Sequence, residues 1–267
     1  MRHPEEMEQL SAIPETALWT LHHRAVAARQ PGTAFHDPKA VELTERLDFP
    51  FAERFGSGQG LGSRMQRRRV ELVDGEVADF LRRSPRGTVV CLGDGLETQY
   101  WRVDNGRARW LSVDLPEAVE LRARLLPPGP RQRLLPCSAT DPAWLDEVDP
   151  EHGVMVVAQG LLMYLRPGEV GELFDRCAER FPGGTLVFDS IPHWFSRATL
   201  RGVSRRAGYR VPPMPWSVGG RELLRDPRTV PLAARHAWLF RVLALDLPDR
   251  RARIVGSVGL PELLGRG

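Results

Sequence analysis

The chain has 267 residues, and 42% are hydrophobic, which is enough for one sizeable α/β core or a core with a small lid. Its net charge of +3 comes from basic residues spread along the chain among 34 acids, which argues against a nucleic-acid-binding tract; the densest run, "RMQRRRVE" at 64–71, reads as a solvated helix face or a phosphate patch. No apolar run reaches about 18 residues, so no membrane span is expected.

Residues 15–30, "ETALWTLHHRAVAARQ", predict a helix with an apolar stripe at Ala17, Leu18, Leu21, Ala25 and Ala28. "FHDPKAVELTERL" starts a second helix at Pro38, where proline suits a first turn. A third spans 64–83 and ends near Ser84 and Pro85. These helices precede the first strand as a candidate lid. Strands at 88–92, 109–114, 132–136, 153–158 and 184–189 then alternate with helices at 97–103, 116–126, 142–147 and 167–181. That alternation predicts a parallel doubly wound sheet. "VPPMPWSVGG" at 211–220 reads as a proline-rich loop leading to a short helix, and "HAWLFRVLALDL" and "RARIVGSVGL" as final strands or helices. The polar start "MRHPEEMEQL" lacks a signal-peptide core, and Cys91, Cys137 and Cys177 are scattered without a zinc spacing. A cytoplasmic protein without a metal is expected.

Ligands of a doubly wound sheet sit outside the carboxyl ends of its strands. The first strand runs into Gly93-Asp94-Gly95, where glycines allow a tight turn and close approach of a ligand. Thr98 stands where a dinucleotide fingerprint has its third glycine. The second strand ends at Asp114, about 20 residues beyond the glycines, where an acid accepts both hydroxyls of a ribose or caps the helix beginning at Pro116. That acid with only two glycines favours S-adenosylmethionine over a nicotinamide cofactor. The cofactor carboxylate needs an arginine, and Arg67, Arg68 and Arg69 lie on the helix before the strand. Leu115 adjoins Asp114; Ser138 and Ala139 follow the third strand; Gln159 and Gly160 follow the fourth. All join the candidate cofactor-binding set. Lys39 is the single lysine, which disfavours Schiff-base chemistry and excludes a G-K-[ST] phosphate loop.

Five segments, "ETALWTLHHRAVAARQPGTAFHDPKAVEL", "VVCLGDGLETQYWRVDNGRARWLSVDLPEAVELRARLLPP", "CSATDPAWLDEV", "AQGLLMYLRPGEV" and "PPMPWSV", together resemble the leucine carboxyl methyltransferase superfamily, in its tetracenomycin-type polyketide O-methyltransferase branch. The resemblance implies a class I methyltransferase fold, a Rossmann-like doubly wound sheet with an N-terminal helical lid. It implies a lid over 1–84 and an S-adenosylmethionine-binding domain with acceptor-site insertions over 85–267. It also implies methyl transfer to an oxygen, often a carboxylate, of a small-molecule acceptor in secondary metabolism. Arg69 matches the family arginine for the cofactor carboxylate, and Asp114 the ribose-binding acid. Three positions depart from the pattern. Asp94 stands where cysteine or alanine is usual, Ser138 replaces the acid that meets the adenine amino group, and Gln159 replaces a glutamate. Asp94 then either lies near the cofactor amine or points to solvent.

Methyl transfer from a sulfonium depends mostly on proximity and orientation. A carboxylate acceptor is ionised at neutral pH, whereas a phenol, with a pKa near 10, benefits from a base. His22 and His23 on the first helix are candidates for that base or for a carboxylate clamp, and adjacent helix positions point in different directions. Tyr164, Trp19, His193 and Trp216 are candidate acceptor-site residues. The changed acids leave two other readings open. One is cyclisation of S-adenosylmethionine itself with release of methylthioadenosine; the other is a degenerate protein that binds the cofactor without turnover.

Overall fold

A computed structural model describes residues 14–57, 60–202, 205–206, 209–218, 238–247 and 251–259. Four helices come first: α1 Glu15–Ala28, α2 Pro38–Arg46, α3 Phe51–Phe55 and α4 Leu61–Arg83. Then β1 Thr88–Leu92, β2 Arg109–Asp114, β3 Gln132–Pro136, β4 Val154–Ala158 and β5 Thr185–Ser190 alternate with helices. Those helices are α5 Gln99–Val103, α6 Pro116–Leu125, α7 Ala143–Asp146 and α8 Pro167–Arg180. A 3₁₀ turn, Leu162–Tyr164, follows β4, and α9 His193–Leu200 follows β5. A two-residue ribbon pairs Arg205–Arg206 with Tyr209–Arg210, and β6 Trp238–Asp246 and β7 Arg251–Gly259 complete the described chain.

The seven strands lie in the order β3-β2-β1-β4-β5-β6-β7. β1 to β5 are mutually parallel, while β6 runs antiparallel to β5 and β7 to β6. Strand order reverses between β1 and β4, so the turns after these two strands flank the crevice where a doubly wound sheet binds its ligand. Both strands are buried throughout, as their unbroken apolar runs "TVVCL" and "VMVVA" require for a sheet covered on both faces.

Helix α4 joins the N-terminal helices, the candidate lid, to this sheet. Its Val73, Val77, Phe80 and Leu81 pack on Val89, Met155 and Val157. One turn earlier, Val70 packs on Ala27 and Phe35 of the lid. Leu18, Leu21, Leu43 and Phe51 of the lid in turn form one apolar cluster with Leu96, Leu121 and Leu126. Packing is therefore continuous across residue 84. The sequence reading placed the major elements but not α3, the 3₁₀ turn or α9. Each is short, begins just after a proline or a glycine, and carries too few turns for a helical period to emerge. Both final segments are strands, and the helix expected after 211–220 falls outside the described residues. No helix among the described residues is long and apolar enough to cross a membrane.

A buried charge network fastens the lid to the first turn of the sheet. Arg24 of α1 donates to the Leu96 carbonyl at 2.7 Å and pairs with Glu97 at 3.1 Å and Asp37 at 3.3 Å. Arg102 of α5 reaches Asp74, Glu97 and Asp37 at 2.7, 2.8 and 2.9 Å. Asp37 also caps α2 through the Ala40 N–H and accepts the Thr98 hydroxyl. Burial alone would raise the Glu97 carboxyl, but Arg24 and Arg102 outweigh it and hold the group at about 2.

Arg24→Met should lower the unfolding free energy by ~3–5 kcal/mol, because it strands buried acids and a buried carbonyl. Urea denaturation at neutral pH checks this, and an unchanged midpoint would refute it. Since the folded Glu97 pKa lies below its unfolded value, its stabilisation is full above pH ~4.5 and is lost as pH falls toward ~2. Glu97→Gln should therefore be less stable than the unmutated protein at pH 7, with a gap that narrows over that acid window. A gap independent of pH would contradict the pairing.

Candidate cofactor and acceptor site

The turn after β1 takes its shape from two glycines. Gly93 and Gly95 have φ of +63° and +44°, a region that disfavours other residues. A Cβ on Gly93 would come within 2.9 Å of Leu161, so the turns after β1 and β4 approach as closely as they do only with glycine here. Gly95 N–H donates to Asp114 Oδ2 at 2.7 Å and Leu115 N–H to Oδ1 at 2.9 Å. Asp114 therefore ties the end of β2 to the glycine turn, and α6 has no side-chain cap. Burial raises the Asp114 carboxyl, against the two N–H donors that lower it. Beside it Leu115 is 48% exposed, an apolar side chain left open at the strand end.

The second half of the site gathers around Arg69, the one arginine of the 67–69 run that turns inward. Arg68 is exposed and Arg67 lies 3.8 Å from Glu71 on the helix surface. Arg69 Nη1 donates to Asp189 Oδ2 at 3.1 Å, and Asp189 Oδ1 accepts the Gly160 N–H at 2.6 Å. Gly160 has φ +72°, and a Cβ there would stand 3.2 Å from Arg69 Nη1. Its absence lets the guanidinium lie against the turn after β4. Tyr164, on the following 3₁₀ turn, has its phenol pushed up to about 12 by burial; Arg69 opposes the rise and Asp189 adds to it.

Asp94 departs from the solvent-facing alternative. It is buried, not solvent-facing, and its carboxylate is engaged beneath the turn: Oδ2 accepts from Ser112 Oγ at 2.6 Å and pairs with Arg122 Nη2 at 2.9 Å. Burial pushes the carboxyl up to about 6, against the lowering by Arg122 and Ser112. Gln159 Nε2 donates to Glu97 Oε2 at 3.2 Å, and its buried Oε1 has no partner. Ser138 Oγ lies 2.9 Å from Thr140 Oγ1, and the Ala139 carbonyl accepts the Trp144 indole N–H at 3.1 Å. These two residues form the turn after β3.

The candidate acceptor residues divide. His22 and His23 are both buried, and as adjacent helix positions they meet different partners. His22 Nε2 lies 3.0 Å from the Gly56 carbonyl and its ring stacks on Phe51; burial lowers its pKa, although the Gly56 bond opposes this. His23 Nδ1 lies 3.0 Å from Ser63 Oγ, and its ring meets the edge of Trp19. His193 Nδ1 lies 2.7 Å from Ser217 Oγ. Trp216 is core, packed edge-on against Phe188 and Phe174. Sequence reasoning gave no role to Asp189, Arg122, Arg24 or Glu97. Only Asp189 left a signal, as an acid ending the strand "LVFDS" much as Asp114 ends β2.

These features fit S-adenosylmethionine. Gly160 leaves a cradle beside Arg69 that a Cβ would fill, Asp114 is fixed at the end of β2, and Leu115 stands open beside it. Among the described residues no three His, Cys, Asp or Glu side chains gather as a metal site. The sheet order and this constellation define a class I, S-adenosylmethionine-dependent methyltransferase. The chain belongs to the leucine carboxyl methyltransferase family, whose model matches residues 17–178. It is 33% identical over 193 residues to the tetracenomycin polyketide synthesis O-methyltransferase TcmP of Streptomyces glaucescens, covering 72% of this chain and 71% of that one. It is 25% identical over 214 residues to a putative S-adenosyl-L-methionine-dependent methyltransferase of Mycobacterium avium, covering 71% and 70%. A solved structure described as a possible exported protein of Bordetella parapertussis shares the fold, with a TM-score of 0.51 and 16% identity over 93% of this chain and all of that one.

Arg69→Ala should weaken S-adenosylmethionine binding by ~2–4 kcal/mol, the scale of losing one partner from a buried charged contact. Titration calorimetry reads this directly. Unchanged affinity would remove Arg69 from the cofactor site.

Proposed function

We propose that this protein methylates an ionised oxygen, foremost a carboxylate, on a small polyketide-type natural product of secondary metabolism. The cofactor would be held by Arg69 and Gly160 at its amino-acid end, by Asp114 at the ribose, and by Leu115, Ser138 and Ala139 at the adenine. When bound, it supplies an already activated methyl group, so the protein's contribution is orientation.

One observation carries the choice of acceptor. Two of the candidate bases are unsuited to that role at neutral pH. Tyr164 keeps its proton up to about 12, and His22 Nε2 is engaged by the Gly56 carbonyl. An acceptor that arrives ionised needs no base. The surroundings of Tyr164 support an apolar, ring-bearing acceptor: Met163, Ile191 and Met214 form a buried cluster with Phe195 and Val211 against it. The similarity to an enzyme of tetracenomycin synthesis supports the same class.

The test is incubation with S-adenosylmethionine and matched aromatic acids and phenols, with products read by mass spectrometry. The expected products are a methyl ester and S-adenosylhomocysteine, at a rate nearly flat from pH ~6 to ~9 with cofactor saturating, where a carboxylate stays ionised. A phenol acceptor would instead raise the rate roughly tenfold per pH unit below its pKa. Methylthioadenosine as the sole product would overturn methyl transfer altogether.

A further inference from the structure

We propose that Asp94 and Arg122 are a positioning pair that sets the shape of the cofactor turn, a role that rests on the reading that S-adenosylmethionine is held at this turn. Four carbonyls of the turn, at 94 to 97, each find a specific donor. The Asp94 carbonyl accepts the Glu97 N–H at 2.8 Å, and the Leu96 carbonyl accepts Arg24. The other two, Gly95 and Glu97, both accept Arg122 Nη1, at 2.7 and 2.8 Å. The neighbouring Nη2 of the same guanidinium meets Asp94 Oδ2 at 2.9 Å. A guanidinium is planar and rigid, so one group fixes two carbonyls and a carboxylate relative to one another.

The acid between the glycines thereby acquires a reason. Arg122 is 1% exposed and cannot lose its charge, so without an opposite charge its seat beneath the turn would be unfavourable. Asp94 is that charge. Its own orientation is set from the sheet, because Ser112 of β2 donates to it and accepts in turn from Gln132 Nε2 of β3 at 3.1 Å. Gly95 carries the effect onward: its carbonyl is held by Arg122, while its N–H is bonded to Asp114. Displacement of Arg122 thus moves the turn and releases a donor from the ribose-side carboxylate together.

The charged and titratable groups facing Asp94 are Arg122 from α6, Glu97 within the turn, Asp114 from β2 and Cys91 from β1. Glu97 and Asp114 add to the rise caused by burial. Protonation of Asp94 as pH falls through about 6 removes the charge that seats Arg122.

The experiment is calorimetric titration of the full chain with S-adenosylmethionine and S-adenosylhomocysteine, alongside ligand-free thermal melts. At pH 7.5, Asp94→Asn should weaken both ligands by a similar factor, roughly tenfold, the scale of a lost charge-assisted contact. Arg122→Met should lose more, and Arg122→Lys should stay within about threefold of the unmutated protein, keeping the ion pair and one carbonyl bond. The Asp94→Asn/Arg122→Met double variant should bind no worse than Arg122→Met alone, because the two act as one unit. Between pH 7.5 and 5.5 the unmutated protein should lose affinity, while Asp94→Asn should be flat. Should Arg122→Met fail to fold, Asp94→Asn and Arg122→Lys carry the test.

Three results would overturn the pair. Asp94→Asn binding like the unmutated protein at every pH is one. A loss confined to S-adenosylmethionine, marking a direct contact with the sulfonium charge, is another. Additive losses in the double variant are the third. If the unmutated protein binds neither ligand, the cofactor assignment falls with it.

Discussion

Guanidinium groups in the interior of this protein constrain the arrangement of everything near the site. Arg24, Arg69 and Arg122 are each at most 5% exposed, and the Arg102 side chain is 4% exposed. Arginine cannot shed its proton to escape burial, so each of these groups demands an acid in a fixed place. Asp37 and Glu97 meet Arg24, Asp37, Asp74 and Glu97 meet Arg102, Asp94 meets Arg122, and Asp189 meets Arg69. All four arginines act at the carboxyl ends of β1, β4 and β5 or on the turns beyond them. The lid is bound by the same rule, since Arg24 comes from α1 and Asp37 from the cap of α2. The lid and the sheet cannot separate without exposing several unpaired charges and the apolar cluster that joins Leu18 and Leu21 to Leu96 and Leu121.

This explains which parts of the molecule were legible from the sequence. β1 and β4 announce themselves, because a strand buried on both faces must be apolar at every position, and "TVVCL" and "VMVVA" are. Asp114 and the glycines follow from where those strands end. Pairings between buried charges leave no such local mark. Arg122 in "ELRARLL" reads as a solvated helix residue, and Arg24 as a polar interruption of an apolar stripe. Asp94 was visible as a departure, but its inward direction depends on Ser112 and Arg122, and neither is near it in the chain. The histidines show the converse. His22 and His23 attract attention as catalytic types, yet their ring contacts, with the Gly56 carbonyl and with Ser63 of α4, are ones that only the fold brings onto α1.

The site is rich in positioning groups and poor in free acid–base groups, and these two properties belong together. A side chain that shuttles protons must have a pKa near the working pH and an unsaturated hydrogen-bond valence. Rigid pairing and burial work against both. Tyr164 is held protonated, and Asp114 has each oxygen committed to a backbone N–H. Such a site suits the reaction proposed above, whose electrophile is activated in advance and whose remaining barrier is one of alignment.

Two carboxyl groups of a single turn, at 94 and 97, are driven in opposite directions by the same surroundings. Both are buried, so desolvation favours the neutral form of each. Glu97 faces two guanidinium groups, and their combined field overturns the burial effect. Asp94 faces one, and its neighbours Glu97 and Asp114 oppose it, so burial prevails. The number of facing arginines thus accompanies the opposite direction of the two shifts. Moderate acidification then acts on the turn unequally. The link to the lid through Glu97 and Arg24 persists well below neutrality, while the link to α6 through Asp94 and Arg122 weakens first. The linkage signs agree: a depressed carboxyl lends stability at neutral pH, whereas an elevated one is most favourable below its unfolded pKa and becomes a cost as pH rises through about 6. At neutral pH the turn thus carries a charged Asp94 that is unfavourable for its own burial but matched to Arg122. That pattern is the one expected where local stability has been exchanged for a fixed geometry at a binding site.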